Sequence, residues 1–275
     1  MSKELPPISA VELHQSIERG DPVVLLDVRY TPGKSDGFDR YLSAHLPGAI
    51  YVDLPTQLSN PNISGKGNSP LPVASDFQKH ARHWGLHENS RVVVYDDTNG
   101  APAARAWWVL RWAGLKHVQI LDGGLNAWKS RGLPVVTEAV SPPSSGALQV
   151  QEGRLPSLGV DEILDFSRSG VLLDARLASA YSDPLNPASG HIPGAKSLPA
   201  SMVLDAQGSL KPANEIRALA KSLGVEKGVP VAAYCGGGVS AALLVYAFAQ
   251  AGLSAQLYPG SWSEWITDNS RPIER

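Results

Sequence analysis

The residue whose type and setting could do chemistry in this 275-residue chain is Cys235, its one cysteine. It follows the apolar run Val231–Tyr234, which predicts a strand, and precedes three consecutive glycines at 236–238. An apolar segment that predicts a helix begins at Val239. A loop between a strand and a helix N-terminus directs backbone N–H groups toward the group that it holds. Because such donors favour the thiolate, the sequence predicts a nucleophilic or sulfur-carrying cysteine.

The residues after Cys235 form the predicted substrate-binding loop, which consists of Gly236, Gly237, Gly238, Val239 and Ser240. The Ser240 hydroxyl could hydrogen-bond the thiolate or a carbonyl oxygen, or bond only to the backbone of the first helical turn. The alternative for Cys235 itself is a small buried side chain beside a tight turn, since free cysteine is usually found in protein cores. Three adjacent glycines count against that alternative, because they serve no packing purpose.

The composition indicates a folded protein and excludes several other classes. With 43% hydrophobic and 18% charged residues, the chain can bury a sizeable core. A net charge of −2 favours neither nucleic acid nor an anionic membrane as a partner. One cysteine excludes an internal disulfide framework and a cysteine-based metal cluster. The N-terminus lacks the apolar core of a signal peptide and no stretch is long enough to span a membrane, so we expect a cytoplasmic monomer that needs no cofactor or metal.

The elements that must position Cys235 alternate between buried strands and helices. In the first half the sequence predicts strands at 23–29, 92–97 and 118–121, with helices at 9–19, 75–84, 103–112 and 122–132. The polar, proline- and glycine-rich stretch 56–72 is interpreted as a long surface loop. The alternation predicts an α/β fold whose parallel sheets have helices on both faces. Functional sites in such sheets lie beyond the carboxyl ends of the strands, where Cys235 stands.

Several landmarks of the first half return in the same order in the second half. They are Asp27-Val-Arg29 with Asp174-Ala-Arg176, His45-Leu-Pro-Gly with His191-Ile-Pro-Gly, and 123–128 with 260–265. The Ser/Pro-rich stretch 141–146 between the halves has the composition of a linker. We therefore predict an internal duplication, with domains at 1–140 and 150–275 joined by a linker at 141–149.

The two predicted domains differ at the chemical position. Tyr95 aligns with Tyr234, which places Asp96 where the second domain has Cys235. A carboxylate cannot replace sulfur as a soft nucleophile. Pro102 also removes one N–H group from the loop that follows Asp96. We therefore expect the first domain to be catalytically silent.

Taken together, these motifs resemble the tandem-domain sulfurtransferases of the rhodanese and 3-mercaptopyruvate sulfurtransferase superfamily over nearly the whole chain. The resemblance is carried by both Asp-x-Arg segments, both His-x-Pro-Gly-Ala segments, Asp122-Gly-Gly, 260–265 and Cys235-Gly-Gly-Gly-Val-Ser-Ala. It implies two rhodanese-like domains and a double displacement. The Cys235 thiolate takes the outer sulfur of a small donor as a persulfide, and cyanide, a thiol or a thioredoxin-type dithiol then removes it. Attack on a donor also requires an accessible sulfur.

The resemblance also bears on which donor is used. The thiosulfate-type loop of the family carries Arg and Lys after the cysteine, where this chain has Gly236 and Gly237. The mercaptopyruvate-type loop, Cys-Gly-Ser-Gly-Val-Thr-Ala, is closer, so we expect 3-mercaptopyruvate as the donor, with thiosulfate as the alternative. The arginines that clamp the carboxylate in mercaptopyruvate enzymes are absent, since Ala180 occupies one place and 182–190 contains no arginine. Ser69 stands where the family has a histidine.

Charged and aromatic landmarks near the strand ends have two interpretations. Arg176 could bind an anionic donor, and we include it among the substrate-binding residues. An Asp-x-Arg segment at a strand end more often forms a structural ion pair, here with Asp174, so both roles stay open. His45 and His191 precede Pro-Gly turns, and we interpret both as structural.

Two other function classes share this strand–loop–helix arrangement. A phosphatase or arsenate reductase needs an arginine at the end of its loop to bind the oxyanion, and the residues between Cys235 and the helix include no basic residue. A non-enzymatic persulfide carrier would load sulfur without turning over, and the loop alone does not distinguish it from an enzyme.

Overall fold

The computed structural model describes residues 4–142, 144–186 and 188–275. Pro143 of the predicted linker, Met1–Lys3 at the N-terminus, and Pro187 lie outside the described residues. The chain divides into two compact units. The first consists of the chain up to Asn60, Pro72–Arg154 and Ala206–Ser209, and the second of Pro61–Leu71, Leu155–Asp205 and Leu210–Arg275. None of the helices in the described part of the chain is both long and apolar enough to cross a bilayer.

Within the described residues, the first unit has a four-stranded parallel sheet in the order β2-β1-β3-β4. Its strands are β1 (Val24–Val28), β2 (Ala49–Val52), β3 (Arg91–Tyr95) and β4 (His117–Ile120). The flanking helices are α1 (Ala10–Glu18), α2 (Gly37–Ser43), α3 (Leu54–Gln57), α4 (Ala74–His83), α5 (Ala101–Trp112) and α6 (Gly124–Ser130). Continuous Val and Leu runs suit strands that are covered on both sides, and β1 and β3 are buried beyond their first residue.

The second unit repeats this plan, with its parallel sheet in the order β6-β5-β7-β8. Its strands are β5 (Val171–Asp174), β6 (Lys196–Ser197), β7 (Val231–Tyr234) and β8 (Gln256–Leu257). The helices are α7 (Ile163–Ser169), α8 (Ala178–Tyr181), α9 (Ala213–Ser222), α10 (Ser240–Gln250) and α11 (Ser261–Trp265), with 3₁₀ turns at Val160–Glu162 and Ala200–Val203. The α/β fold predicted from the alternation of strands and helices is confirmed.

The predicted strands and helices are confirmed to within two residues at each end, but some elements were missed. Helix α1 begins at a capping box, since the Glu12 N–H donates to Ser9 Oγ and the Ser9 N–H donates to Glu12 Oε2. The elements that were not predicted from the sequence are α2, α3, α7, α8, α9, β2, β6 and β8. All of these except α9 have seven residues or fewer, and such short elements owe their stability to tertiary packing rather than to propensity.

The internal duplication is confirmed by matching contacts in the two sheets. The Tyr95 hydroxyl at the end of β3 accepts the N–H of Leu46 at 3.0 Å. The Tyr234 hydroxyl at the end of β7 accepts the N–H of Ile192 at 3.1 Å. Each tyrosine therefore holds the backbone of a His-x-Pro-Gly turn against the carboxyl edge of its own sheet.

Both histidines of these turns have structural contacts, as interpreted from the sequence. The His45 ring stacks on Tyr41 with 3.7 Å between ring centroids, and its Nδ1 lies 2.8 Å from the Tyr41 carbonyl oxygen. The His191 ring stacks on Tyr181 at the same distance, with Nδ1 3.1 Å from the Tyr181 carbonyl oxygen. Both side chains are buried, so the two turns are fixed by equivalent aromatic pairs.

The stretch 56–72 is only partly the surface loop that the sequence predicts. Helix α3 extends to Gln57, and Ser69 and Pro70 are buried. Its segment Pro61–Leu71 packs with the second unit, although it precedes most of the first unit in sequence. Polar composition did not reveal this, because backbone contacts such as the hydrogen bond from the Asn68 N–H to Ser263 Oγ leave no pattern in the residue types.

Candidate active site

Cys235 directly follows β7, at the carboxyl end of the strand where the sequence analysis places it. Its Sγ accepts the N–H of Gly238 at 3.1 Å. Gly238 has a φ of 78°, a left-handed conformation that favours glycine, so the third glycine of the loop is needed to aim this N–H at the sulfur. The 11-residue helix α10 begins at Ser240, so the N-terminal end of its dipole, which carries partial positive charge, follows Cys235 by five residues.

The Cys235 side chain is buried, with 3% of the residue exposed. The expectation of an accessible sulfur is therefore wrong, because the loop backbone folds around Sγ. The neighbouring Gly236 is less crowded, since a Cβ at this glycine would have no atom within 4 Å.

The Cys235 loop is held in place by the turn that opens α11. The Trp262 N–H donates to the Cys235 carbonyl at 2.9 Å, and the Ser263 N–H donates to the Gly236 carbonyl at 2.9 Å. The Ser261 Oγ accepts the N–H of Cys235 at 3.1 Å and donates to the Tyr258 carbonyl at 2.8 Å. The first two residues of the loop are therefore fixed by three hydrogen bonds from one short segment.

Ser261 is the functional residue that the sequence analysis missed. Its φ of 55° makes it the one non-glycine residue with positive φ in the described part of the chain. The duplication contained a signal, because Ser261 aligns with Gly124, whose φ is 57°. A serine held in a glycine conformation costs free energy, and such strain concentrates at functional sites. Here the strained conformation places the Ser261 hydroxyl on the Cys235 N–H.

The other predicted loop residues, Gly237, Val239 and Ser240, differ in how crowded and how buried they are. A Cβ at Gly237 would lie 3.2 Å from Asn68 Cβ, so this glycine is crowded where Gly236 is not. Val239 is buried and precedes α10. Ser240 is half-buried in the first turn of α10, and no hydrogen bond of its hydroxyl occurs within the described residues. A bond from this hydroxyl to the oxygen of a bound donor stays a prediction.

Arg176 forms the ion pair with Asp174 that the sequence analysis held open. Its Nε lies 3.0 Å from both carboxylate oxygens, and its Nη2 donates to Asp174 Oδ2 and to the Gly190 carbonyl, each at 2.6 Å. Burial lowers the pKa of Arg176, but the hydrogen bonds and charge of Asp174 more than offset it and hold the pKa above its ordinary value. The guanidinium carbon lies 4.3 Å from the ring centroid of Trp262. Interaction with the Tyr234 side chain also raises the pKa of Arg176. Contact of Arg176 with a donor stays a prediction.

In the first unit, the loop that corresponds to the Cys235 loop surrounds the carboxylate of Asp96. The Asp96 carboxylate accepts backbone N–H groups from Thr98, Gly100 and Ala103 at 2.9, 3.1 and 3.0 Å. Burial raises the pKa of Asp96, and these three donors lower it part of the way back. The ring of N–H donors predicted around Cys235 is thus more complete around Asp96. An internal carboxylate occupies the place that a nucleophile or its ligand would need.

No group of three or more His, Cys, Asp or Glu side chains within the described ranges is arranged to hold a metal ion. The chemistry that the geometry supports is therefore that of the sulfur itself. A buried thiol beside an amide donor and a helix N-terminus can act as a nucleophile toward a small electrophilic sulfur atom.

Comparison with known proteins gives consistent results over the whole chain. The family described as Rhodanese-like domain matches residues 9–131 and 160–268. SseB of Mycobacterium tuberculosis, provisionally assigned as a thiosulfate sulfurtransferase, is 42% identical over 98% of this chain and 96% of its own length. The 3-mercaptopyruvate sulfurtransferase of Escherichia coli K12 is 32% identical over 92% of this chain and 93% of its own. The crystal structure of SseA from Escherichia coli superposes with a TM-score of 0.82 at 31% identity, covering 94% of this chain and 98% of that one.

Proposed function

We propose, since the chain belongs to the rhodanese family and is a sulfurtransferase, that it moves a sulfane sulfur through a persulfide on Cys235. The observation that carries this assignment of residue is the Gly238 N–H, which donates to Sγ at 3.1 Å. This amide stabilises negative charge on the thiolate before attack and on the persulfide afterwards. Because Asp96 stands in the first domain where the second has Cys235, we propose one catalytic site and a catalytically silent first domain.

The proposed reaction is a double displacement. With 3-mercaptopyruvate, the Cys235 thiolate attacks the donor sulfur, a sulfur–sulfur bond forms, and the carbon–sulfur bond breaks. The electron pair leaves with the pyruvate enolate, which takes up a proton. A thiophilic acceptor such as cyanide then attacks the outer sulfur, forms thiocyanate, and regenerates the thiolate. Ping-pong kinetics are expected, because the first product leaves before the acceptor reacts.

The uncharged loop supports 3-mercaptopyruvate as the donor. Thiosulfate carries two negative charges, whereas Gly236 and Gly237 place no cation beside Cys235. The name of the Escherichia coli relative supports the same choice. Thiosulfate stays the alternative, since the 42% identical SseB is provisionally assigned to it. With thiosulfate, sulfite would leave in place of the enolate.

The proposed acceptors are chosen by their ability to attack the outer sulfur of a persulfide. Cyanide, a small thiol or a thioredoxin-type dithiol would each be a competent acceptor. A carrier without turnover remains the competing class. A cytoplasmic monomer stays a prediction.

The test is a side-by-side assay of both donors combined with mass spectrometry of the protein. Wild-type protein treated with 3-mercaptopyruvate and no acceptor is expected to gain one sulfur atom on Cys235. Addition of cyanide should remove it and release thiocyanate over many cycles. The Cys235→Ser variant, with nearly the same volume, should neither gain sulfur nor turn over.

The outcomes separate the candidates. Turnover by Cys235→Ser would refute a persulfide at this residue. Sulfur loading of the wild type without repeated turnover would indicate a carrier. A higher kcat/KM for thiosulfate than for 3-mercaptopyruvate would reverse the choice of donor.

A further inference from the structure

The segment Pro61–Leu71 is fixed against the turn that holds the Cys235 loop. Gly67 has a φ of 85°, and a Cβ there would lie 2.5 Å from the Gly260 carbonyl oxygen and 2.8 Å from Ser263 Oγ. Both its conformation and its surroundings therefore require glycine. Lys66 Nζ adds an ion pair with the buried Glu264 carboxylate at 3.1 Å. The segment is held by backbone contact and by charge at the same place.

Two hydrogen bonds connect this segment to the loop of the nucleophile. The Asn68 N–H donates to Ser263 Oγ at 2.9 Å. The Ser263 N–H in turn donates to the carbonyl of Gly236 at 2.9 Å. The backbone of Asn68 is therefore fixed relative to the residue that follows Cys235.

The Asn68 side chain lies at the edge of the Cys235 loop with its amide unused. Its Cβ is 3.2 Å from the place that a Cβ on Gly237 would occupy. The residue is exposed, and within the described residues its side-chain amide makes no hydrogen bond. An amide on a fixed backbone loses little freedom when it binds a ligand. It offers two N–H donors and one acceptor without net charge.

We infer that Asn68 is a specificity-determining residue for the sulfur donor, with its amide hydrogen-bonding an oxygen of the anionic donor whose sulfur reacts at Cys235. This inference rests on the proposed sulfur transfer. Asn68 recognises oxygen anions in the absence of a cation at Gly236 or Gly237. The crowding at Gly237 has the same origin, because a side chain there would displace Asn68.

An isosteric charge change tests the inference. Asn68→Asp keeps the shape but replaces two donors with negative charge, so it removes the hydrogen bond to the anionic donor and adds repulsion. We expect kcat/KM for 3-mercaptopyruvate to fall by roughly 10- to 100-fold, mainly through KM. The kcat/KM for a neutral dithiol acceptor, which reports the second half-reaction, should stay within about twofold of wild type.

Two further variants complete the experiment. Asn68→Ala removes the amide without adding charge, and should lower the donor kcat/KM by less than Asn68→Asp does. Asn89→Asp makes the same change at an exposed asparagine of the first unit, before β3, and should leave both half-reactions and the melting temperature unchanged.

The outcomes keep this inference distinct from the proposed function. If wild-type protein forms the Cys235 persulfide and Asn68→Asp retains its donor kcat/KM within twofold, Asn68 has no role in donor selection. Equal losses in both half-reactions would indicate a structural effect and overturn the inference as well. A wild type that never loads sulfur would refute the proposed function and the inference together.

Discussion

The three glycines after Cys235 are present for three different reasons. Gly238 is required by its φ of 78°, which aims its N–H at the sulfur. Gly237 is limited by space, because Asn68 lies against it. Gly236 has an ordinary φ and open surroundings, so the backbone there would accept a side chain. The absence of a cation at Gly236 is therefore a chemical property of the site and not a requirement of folding.

A single substitution at Gly236 tests whether the neutral loop sets donor preference. We expect Gly236→Arg to raise kcat/KM for thiosulfate relative to 3-mercaptopyruvate by roughly tenfold, which corresponds to about 1.4 kcal/mol, because a cation favours the dianion. The measurement is steady-state kinetics with both donors. Gly236→Met, long but neutral, is the control. A donor ratio that is the same in both variants would contradict the charge argument.

At the scale of elements, the position of the proposed nucleophile Cys235 depends on the end of one strand and the start of two helices. Strand β7 delivers Cys235, α10 begins beyond its loop, and the turn at the start of α11 accepts and donates the hydrogen bonds that fix the loop. Ser261 is the residue through which α11 holds the Cys235 N–H. Its strained φ is maintained because the flanking turn makes several hydrogen bonds at once.

The cost and the benefit of this conformation can be separated with two variants of Ser261. Ser261→Ala and Ser261→Gly both remove the hydroxyl that accepts the Cys235 N–H, and both should lower kcat/KM for sulfur transfer. Only Ser261→Ala keeps the strain of a Cβ at positive φ. Ser261→Gly should therefore exceed Ser261→Ala in free energy of unfolding by about 1–2 kcal/mol, measured by urea denaturation.

A contrary result at this position would have a clear meaning. If Ser261→Ala equals Ser261→Gly in stability, the left-handed conformation relaxes in the variant. If both variants keep wild-type kcat/KM, the hydroxyl supports folding but not the reacting loop.

At the scale of the whole molecule, two copies of one plan hold different groups at the same point. Both sheets carry a buried Asp-x-Arg pair at the end of their first strand, Asp27 with Arg29 and Asp174 with Arg176. The Arg29 side chain is 2% exposed and the Arg176 side chain 10% exposed. Arg29 also lies 3.4 Å from a second carboxylate, that of Asp97, whereas Arg176 has Asp174 as its one carboxylate partner within the described residues. The arginine is thus more buried and has more anionic partners in the first copy than in the second.

Matched substitutions in the two copies test whether Arg176 also contacts the donor. Arg29→Met and Arg176→Met each leave a buried carboxylate unpaired, so each should lower the free energy of unfolding by about 3–5 kcal/mol. After correction for the folded fraction, only Arg176→Met should raise KM for the donor. Denaturation curves and steady-state kinetics on the same samples provide the comparison. An equal effect on KM in both variants would assign Arg176 to structure alone.

The sequence by itself determined the fold class and the duplication, and it predicted Cys235 as the nucleophile. These features follow from local patterns, which can be recognised from residue types alone. The patterns are the apolar runs that end in Asp-x-Arg, the repeated His-x-Pro-Gly turns, and one cysteine before three glycines. The sequence also identified Asp96 as the residue that replaces Cys235. The sequence left open whether Arg176 pairs with Asp174 or binds the anionic donor, because a pattern along the chain does not show which group a side chain contacts.

Only the tertiary structure decided which distant segments meet at the sulfur. The burial of Cys235, the strained Ser261 and the approach of Asn68 depend on backbone contacts between residues far apart in sequence. Such contacts are made by N–H and carbonyl groups that every residue carries, so residue types do not reveal them. The stretch 56–72 therefore has the composition of a surface loop, although Gly67 lies against the Gly260 carbonyl.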